Sequence, residues 1–400
     1  MDKDFLTVIL QREVSNNLVS RILSLDSKPA VPKGENYLSN VMRVKLHVLM
    51  KSGRKSHISL IIKDFPDGDG KQQMVTDMGV FRREIQIFKT VLKEMENLLS
   101  ETDIKSEKLW ADLIGYRPYR TIIFEDLAAT NYRVPPRKDC QDLNHAILTM
   151  VELARFHALS RVLIRRGILV KQDFPKYLMC DRNFCTKTGM PSLVRMGEIL
   201  QESWGKEWED LGKRLVNCPE KIINDLINDN ENCDKKFYVL NHGDLWTCNM
   251  MFKYSVYEDK PIALKFVDYQ LCHINSFAWD LTYYLYSSVE PDVRRKNNGT
   301  LLRRYADSLK SELVRFGVDE KEIPSFQEIY AEMERIKAFR VMIMCFLHPI
   351  MTYESDDAYD LDKSLSSEQT VAPKEECFLS ERFKARVGAD IRQFAENGII

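Results

Sequence analysis

The sequence has no surplus of either charge: 58 lysines and arginines almost cancel 59 aspartates and glutamates over 400 residues. No basic block stands out, so the electrostatic case for nucleic acid is missing and any anionic ligand must be held by local groups. Long apolar runs are also absent. "VMIMCFLHPIM" is broken by His348 and Pro349, well short of the roughly 20 residues a bilayer span requires. The opening "MDKDFLTVILQREV" carries acids where a secretory signal needs a basic region, and its apolar stretch is short, so no signal peptide is expected. The nine cysteines show neither CxxC nor zinc-ligand spacing, which suits free thiols in a reducing compartment. There is no internal repeat. These absences lead to the expectation of a cytoplasmic protein with no nucleic-acid, membrane or evident protein partner.

What is present is enough apolar material, 44% of residues, for a large core and, by length, about two or three domains or lobes. Met42, Val44, Leu46 and Val48 alternate with Arg43, Lys45 and His47, the pattern of a half-buried strand. "KSGR" then turns the chain into "HISLIIKDF", where Ile58, Leu60 and Ile62 share a face and Lys63 takes the other. In "VFRREIQIFKTVLKEM" the period becomes helical, with Phe81, Ile85, Phe88 and Leu92 on one stripe and Glu84 beside it. "YRTIIFEDL" is a short strand that stops at Glu125 and Asp126. The expected order is strand, strand, helix, strand.

After about residue 131 helical periods dominate, interrupted by two β-rich pieces, "KKFYVLNHGD" and "ALKFVDYQ". The class is α+β, a small β-rich lobe before a larger helical one. The acidic, aperiodic run "YESDDAYDLDKSLSSEQTVAPKEE" is expected to be a mobile loop.

In "LNHGDLWTCNMMF" a histidine, an aspartate and an asparagine interrupt an otherwise apolar stretch. Asp244 and Asn249 have the D-x-x-x-x-N spacing of a phosphoryl-transfer loop, in which the acid orients an attacking hydroxyl and the amide binds magnesium. A second acid for the metal is then needed at a neighbouring strand end, and Asp268 in "KFVDYQ" supplies it. Alone, "HGD" would pass for a turn with a satisfied side chain. The combination of three polar residues in this order points to a kinase.

A nucleotide also needs a cation on a rigid strand, a carboxylate to hold that cation and a loop over the phosphates. Lys63, Glu84 and "GENYLS", with Gly34, Asn36, Tyr37 and Ser39, are placed to serve. Taken singly, Lys63 reads as a solvated strand lysine and Glu84 as a surface acid. "GENYLS" has one glycine, so it is no G-x-G-x-x-G loop. Residues 125–127, with Glu125 and Leu127, would connect the lobes and offer backbone groups to adenine. The expected division is 1–124 for the nucleotide-binding lobe, 125–130 for the hinge and 131–400 for the catalytic and acceptor-binding lobe.

Taken together, "GENYLSNVMRV", "IIKDFP", "FRREIQIF", "TIIFEDL", "ELARFHALS", "LNHGDLWTCNMMFKY", "KFVDYQL" and "SFAWDLTYYLYSSV" resemble the ecdysteroid kinase-like (CHK kinase-like) family, relatives of choline kinases and aminoglycoside phosphotransferases. The resemblance implies a two-lobed protein-kinase-like fold and transfer of phosphate from ATP, with Mg2+, to a hydroxyl of a small molecule, ecdysteroid alcohols being the best-known class. By position it makes Asp244 the catalytic acid, Asn249 and Asp268 the magnesium ligands, Lys63 and Glu84 the ion pair, and Asp280 the buried acid bracing the catalytic loop beside His242. Two details depart from the pattern: Cys248 lies inside the loop, and His157 reads as a core histidine rather than a catalyst.

Protein kinases place an arginine before the catalytic aspartate to read an activation-loop phosphate; this chain has Gly243. Only twelve positions separate Asp268 from Asp280 and no A-P-E follows, which leaves no platform for a peptide. The acceptor pocket should then come from the helical lobe, with Trp204, Trp208, Phe346 and Tyr353 as wall candidates or as core packing. Two alternatives stay open: a choline or ethanolamine kinase, and an idle nucleotide-binding scaffold of the same fold.

Overall fold

The computed structural model describes residues 2–12, 18–31, 38–102, 107–232, 237–355, 358–359 and 371–400. Five strands, β1 (Val19–Pro29), β2 (Asn40–Met50), β3 (Lys55–Asp64), β4 (Leu113–Arg117) and β5 (Thr121–Glu125), form one antiparallel sheet in the order β1-β2-β3-β5-β4. The alternation read in β2 and β3 holds: Val44, Leu46, Val48, Leu60 and Ile62 are buried on one face. An N-terminal helix, Lys3–Arg12, covers that face with Leu6, Ile9 and Leu10 and completes a small core. The other face turns Lys63 towards the helical segment that begins at Val80.

The expected order strand, strand, helix, strand is too short. The N-terminal helix, β1 and β4 were not anticipated, and the helix Asp69–Met78 precedes the expected one. β1 is an edge strand whose residues are mostly exposed, with Ser20, Arg21, Asp26 and Lys28 along it, so it carries little hydrophobic period to read. The expected helix is present as Val80–Gln86 and Leu92–Ser100, joined by a π-helical turn, Ile87–Val91. Phe81, Ile85, Phe88 and Leu92 are buried on it, as their spacing requires.

The chain leaves the sheet through a 3-10 turn, Leu127–Thr130, and then becomes mainly helical. The Leu143–Arg165 helix runs through the centre of this lobe, and the Pro291–Arg315 helix packs along it. Two small sheets are set among the helices. β6 (Tyr132–Arg133), β8 (Met250–Tyr254) and β9 (Pro261–Phe266) form one; β7 (Tyr238–Asn241) and β10 (His273–Ser276) form the other. β10 was not anticipated, because "HINS" is a short, wholly buried strand with no alternation.

Trp204 and Trp208 are buried edge to face, and Trp204 packs on Phe383 of the last helix, Glu381–Glu396. Of their two readings, core packing is the one the structure bears out. Phe346 is likewise buried, between Phe184 and Tyr359, and Tyr353 is partly buried at the end of the Lys337–Thr352 helix. Most of the acidic run expected to be a mobile loop, 356–357 and 360–370, lies outside the described residues. Among the described residues the eight cysteines are free, and no helix is long and apolar enough to cross a membrane.

Because Leu46 is fully buried in the small core that joins the N-terminal helix to the sheet, Leu46→Ala should destabilise the protein by about 2 to 5 kcal/mol. Denaturant unfolding followed by circular dichroism measures this, and a change within about 0.5 kcal/mol would show that the helix does not seal the sheet.

Candidate active site

The polar run sits where two strand pairs meet. β7 ends at Asn241, the loop 242–249 follows, and Asn249 leads directly into β8. β8 pairs with β9 so that Met250 faces Phe266, and the Val267 N–H donates to the Asn249 carbonyl at 3.0 Å. Asp268 therefore emerges beside the catalytic loop. The chain then makes a 3-10 turn, Tyr269–Leu271, and returns as β10, antiparallel to β7 with His273 opposite Asn241.

His242 stitches the two loops. Its Nε2–H donates to the Val267 carbonyl at 3.0 Å, which leaves Nδ1 as an acceptor facing the Asp244 N–H at 3.4 Å. Burial lowers its pKa despite Asp280 and Asp268 nearby, so the ring stays neutral in that tautomer. Gly243 has φ +82°, and a Cβ there would lie 2.2 Å from the Leu271 carbonyl oxygen. No side chain, arginine included, fits beside this backbone. The glycine read as a missing phosphate sensor is thus also a packing requirement of the loop.

Asp280 lies in the first turn of the Ala278–Ser287 helix and is fully buried. Its Oδ2 accepts from the His242 N–H at 2.6 Å and its Oδ1 from the Gly243 N–H at 2.9 Å. His157, on the central helix, meets Oδ2 at 3.2 Å through Nε2 and the Tyr305 hydroxyl at 2.8 Å through Nδ1. Burial opposes the Asp280 charge, yet these hydrogen bonds and the neighbouring imidazoles hold its carboxyl below the usual range. Asp280 thus holds the backbone at residues 242 and 243, and His157 is a buried residue that contacts its carboxylate.

Lys63 joins the two lobes. Its Nζ lies 2.6 Å from Glu84 Oε2 and 2.6 Å from Asp268 Oδ1, with Gln270 Oε1 at 3.3 Å. Lys63 and Glu84 are both buried, so the readings as solvated or surface residues do not apply. Burial disfavours the ammonium, but Asp268 and Glu84 outweigh it and keep its pKa raised. Burial pushes the Glu84 carboxyl up to about 7 against the pull of Lys63. Its second oxygen accepts from the Tyr269 N–H at 3.2 Å, so Glu84 grips the backbone next to Asp268 as well.

Asp268 adopts φ 67° and ψ 65°, a left-handed conformation uncommon for a residue with a side chain. Gln270 Nε2 donates to its Oδ2 at 3.1 Å. Asn249 donates its amide N–H groups to Asp244, 2.9 Å from the backbone carbonyl and 3.0 Å from Oδ2, which leaves its side-chain carbonyl oxygen as the atom that could ligate a metal. Among the described residues no three His, Cys, Asp or Glu side chains form a ready-made metal site. The carboxylate of Asp268 and the amide carbonyl of Asn249 are nonetheless donor types that suit magnesium, a hard ion usually held by one or two carboxylates together with phosphates and waters.

Asp244 is partly exposed, whereas its surroundings are buried. Burial first and the Asp268 charge second push its carboxyl up to about 7, against hydrogen bonds from Tyr283 and Asn249 and the charge of Lys63. A carboxylate whose pKa lies near neutrality suits a proton acceptor. Tyr283, whose hydroxyl donates to Asp244 Oδ1 at 2.6 Å, was missed by the sequence reading. The available signal was its place three residues after Asp280 on a helix.

Of the nucleotide-loop residues, Gly34, Asn36 and Tyr37 lie outside the described residues, and Ser39 is buried at the start of β2. Glu125 ends β5, where its Oε1 accepts from the Asp112 N–H at 2.9 Å, and Leu127 is buried with its carbonyl accepting from Thr130 Oγ1 at 3.0 Å. Between them Asp126, read from the sequence only as the place where the strand stops, caps the 3-10 turn and pairs with Arg43 at 2.8 Å and the Ser59 hydroxyl at 2.6 Å. That carboxylate ties the connection to β2 and β3.

This fold and site are those of a small-molecule kinase, a phosphotransferase acting on hydroxyl groups. The ecdysteroid kinase-like family model matches residues 33–318, and the chain belongs to that family. No curated protein matches. Solved structures to which the chain shows similarity include a macrolide 2'-phosphotransferase from Brachybacterium faecium in its apo form, at 12% identity and a TM-score of 0.34 over 84% of this chain and 98% of that one. Another is the GDP complex of a variant aminoglycoside 2'-phosphotransferase IIIa, at 13% identity and a TM-score of 0.34 with the same coverage.

Asp280→Asn should destabilise the protein by about 1 to 3 kcal/mol, since an amide nitrogen would replace one acceptor facing the donors of residues 242 and 243. Thermal melting measures the loss. An unchanged melting temperature would show that these N–H groups have other partners.

Proposed function

We propose that this chain transfers the γ-phosphoryl group of ATP, with magnesium, to a hydroxyl of an ecdysteroid-type alcohol or another small hydroxylated lipophile, and does so in the cytoplasm. The observation that carries the reading is the Lys63 ammonium held at 2.6 Å by both Glu84 and Asp268, because it puts a fixed cation at the junction of the sheet with the catalytic loops. An idle scaffold has no use for a buried cation between two carboxylates beside a partly exposed Asp244 with a pKa near neutrality. No specific observation favours choline or ethanolamine, whose cation would need open aromatic faces; Trp204 and Trp208 are buried.

In this mechanism Lys63, fixed by Glu84, holds the phosphates, and the backbone of residues 125–127 meets the base at the lobe connection. Asn249 and Asp268 are the residues that would hold magnesium, which when bound neutralises charge on the phosphates. Asp244 orients the acceptor hydroxyl for attack roughly in line with the leaving oxygen and takes its proton. No covalent enzyme intermediate is required. The stretch from Asp268 to Asp280 is committed to the 3-10 turn and β10, and residues 269–285 are all buried. Among the described residues, this stretch therefore offers a peptide no open surface and holds no loose segment for phosphorylation to order.

Three outcomes test the reading. Asp244→Asn keeps the shape of the side chain but removes the proton acceptor, and turnover should fall by at least the roughly 10²-fold typical of a lost general base. Wild-type turnover in the folded variant would sink the assignment. For Asp268→Ala, calorimetry should show weaker magnesium-dependent ATP binding as well as a lower rate; equal affinity would remove Asp268 from the metal site. Finally, protein made in bacteria should consume ATP with some member of a panel of hydroxylated small molecules without prior phosphorylation. Label from radioactive ATP that accumulates on generic protein substrates alone would overturn the acceptor class.

A further inference from the structure

The Ala278–Ser287 helix touches the catalytic loop at two heights. Asp280 grips the backbone N–H groups of His242 and Gly243, and one turn later the Tyr283 hydroxyl reaches Asp244 Oδ1 at 2.6 Å. Residues three apart on a helix share a face, so one rigid element sets both the path of the loop and the side chain it presents. The contact is a charge-assisted O–H···O hydrogen bond at the short end of its normal range. The Tyr283 ring is 2% exposed, with the ring of Phe339 at 6.2 Å, so it approaches Asp244 from the interior rather than from solvent. Burial and the adjacent Asp244 raise its phenol well above the ordinary range, and the group remains a donor.

The opposite carboxylate oxygen, Oδ2, accepts from Asn249 Nδ2 at 3.0 Å. One donor on each oxygen fixes the plane of the carboxylate while leaving lone pairs on both for an incoming hydroxyl, since an ionised carboxylate offers about four acceptor positions. Asn249 is assigned to the metal as well, so the Tyr283 contact is the one dedicated to Asp244 alone. We propose that Tyr283 is a positioning residue, whose hydroxyl holds the Asp244 carboxylate in the orientation that receives the acceptor hydroxyl before the acceptor arrives. The proposal rests on Asp244 as the proton acceptor. A purely packing role would need only the ring, which phenylalanine also supplies.

The test compares the wild-type protein with Tyr283→Phe, Asp244→Asn and the double variant, with turnover of MgATP followed on the fastest acceptor of the hydroxyl panel or, if none reacts, on water. Tyr283→Phe should keep the KM values near those of the wild type while kcat falls by roughly tenfold or more, the pattern of lost alignment without lost binding. In the Asp244→Asn background the same change should cost nothing further, because there is no carboxylate to position. Replacing Tyr283 with 3-fluorotyrosine, which retains ring and hydroxyl, should restore most of kcat and guards against a folding defect in the phenylalanine variant. Unchanged kcat in Tyr283→Phe, a loss confined to KM or melting temperature, an equal loss in both backgrounds, or no rescue by 3-fluorotyrosine would each overturn the proposal. Wild-type turnover in Asp244→Asn would instead overturn the reading of Asp244, and a wild-type protein that turns over MgATP with neither the panel nor water would overturn the kinase reading.

Discussion

A single ammonium group ties this structure together. Lys63 projects from the sheet face opposite the small apolar core, where Glu84 of the adjoining helix and Asp268 of the helical lobe both meet it at 2.6 Å. A buried cation and carboxylate, with a second carboxylate only partly exposed, cost more in desolvation than a similar volume of apolar side chains, so the cluster is weak support for stability and stronger support for function. Its geometry follows from surrounding packing. The register of β2 and β3 sets the direction of Lys63, the stripe Phe81, Ile85, Phe88 and Leu92 sets the rotation of the helix that carries Glu84, and the pairing of β8 with β9 delivers Asp268.

The catalytic loop is fixed from below by a different device. Asp280 accepts two backbone N–H groups, His157 and Tyr305 support Asp280, and His242 carries the connection across to the strand that precedes Asp268. Every member of this chain is buried, and its hydrogen bonds are worth more there than they would be in water. Catalytic groups need such support, because a misplacement of about 1 Å can cost about 10²-fold in rate. Asp244 itself is left partly exposed above the buried brace, as is Asp268.

The local pattern was enough for elements with a strong period and for motifs whose chemistry is short-range. The alternation in β2 and β3, the helical stripe from Phe81, and the spacing from Asp244 to Asn249 are all properties of neighbouring residues, and each is visible without knowing what lies across the core. The pairing of Lys63 with Glu84 came from what a nucleotide requires and from the family resemblance rather than from a local rule, since each alone reads as a surface charge. Elements with weak periodicity escaped: the exposed edge strand β1, the short β4 and the buried β10.

Tertiary structure alone decided which polar residues meet. Tyr283 and Asp244 are 39 positions apart in the chain, and Lys63 and Asp268 are 205 apart. Arg43 and Ser59 converge on Asp126 only because β2, β3 and the lobe connection lie side by side. The same holds for the aromatic residues: Trp204 and Trp208 read equally as acceptor wall or core until Phe383, nearly 180 residues later, packs against Trp204. A sequence displays spacing along one chain, so it determined the strongly periodic elements and the spacing of Asp244 and Asn249. Hydrogen bonds and burial depend on distances through space, and the packing of strands and helices set those.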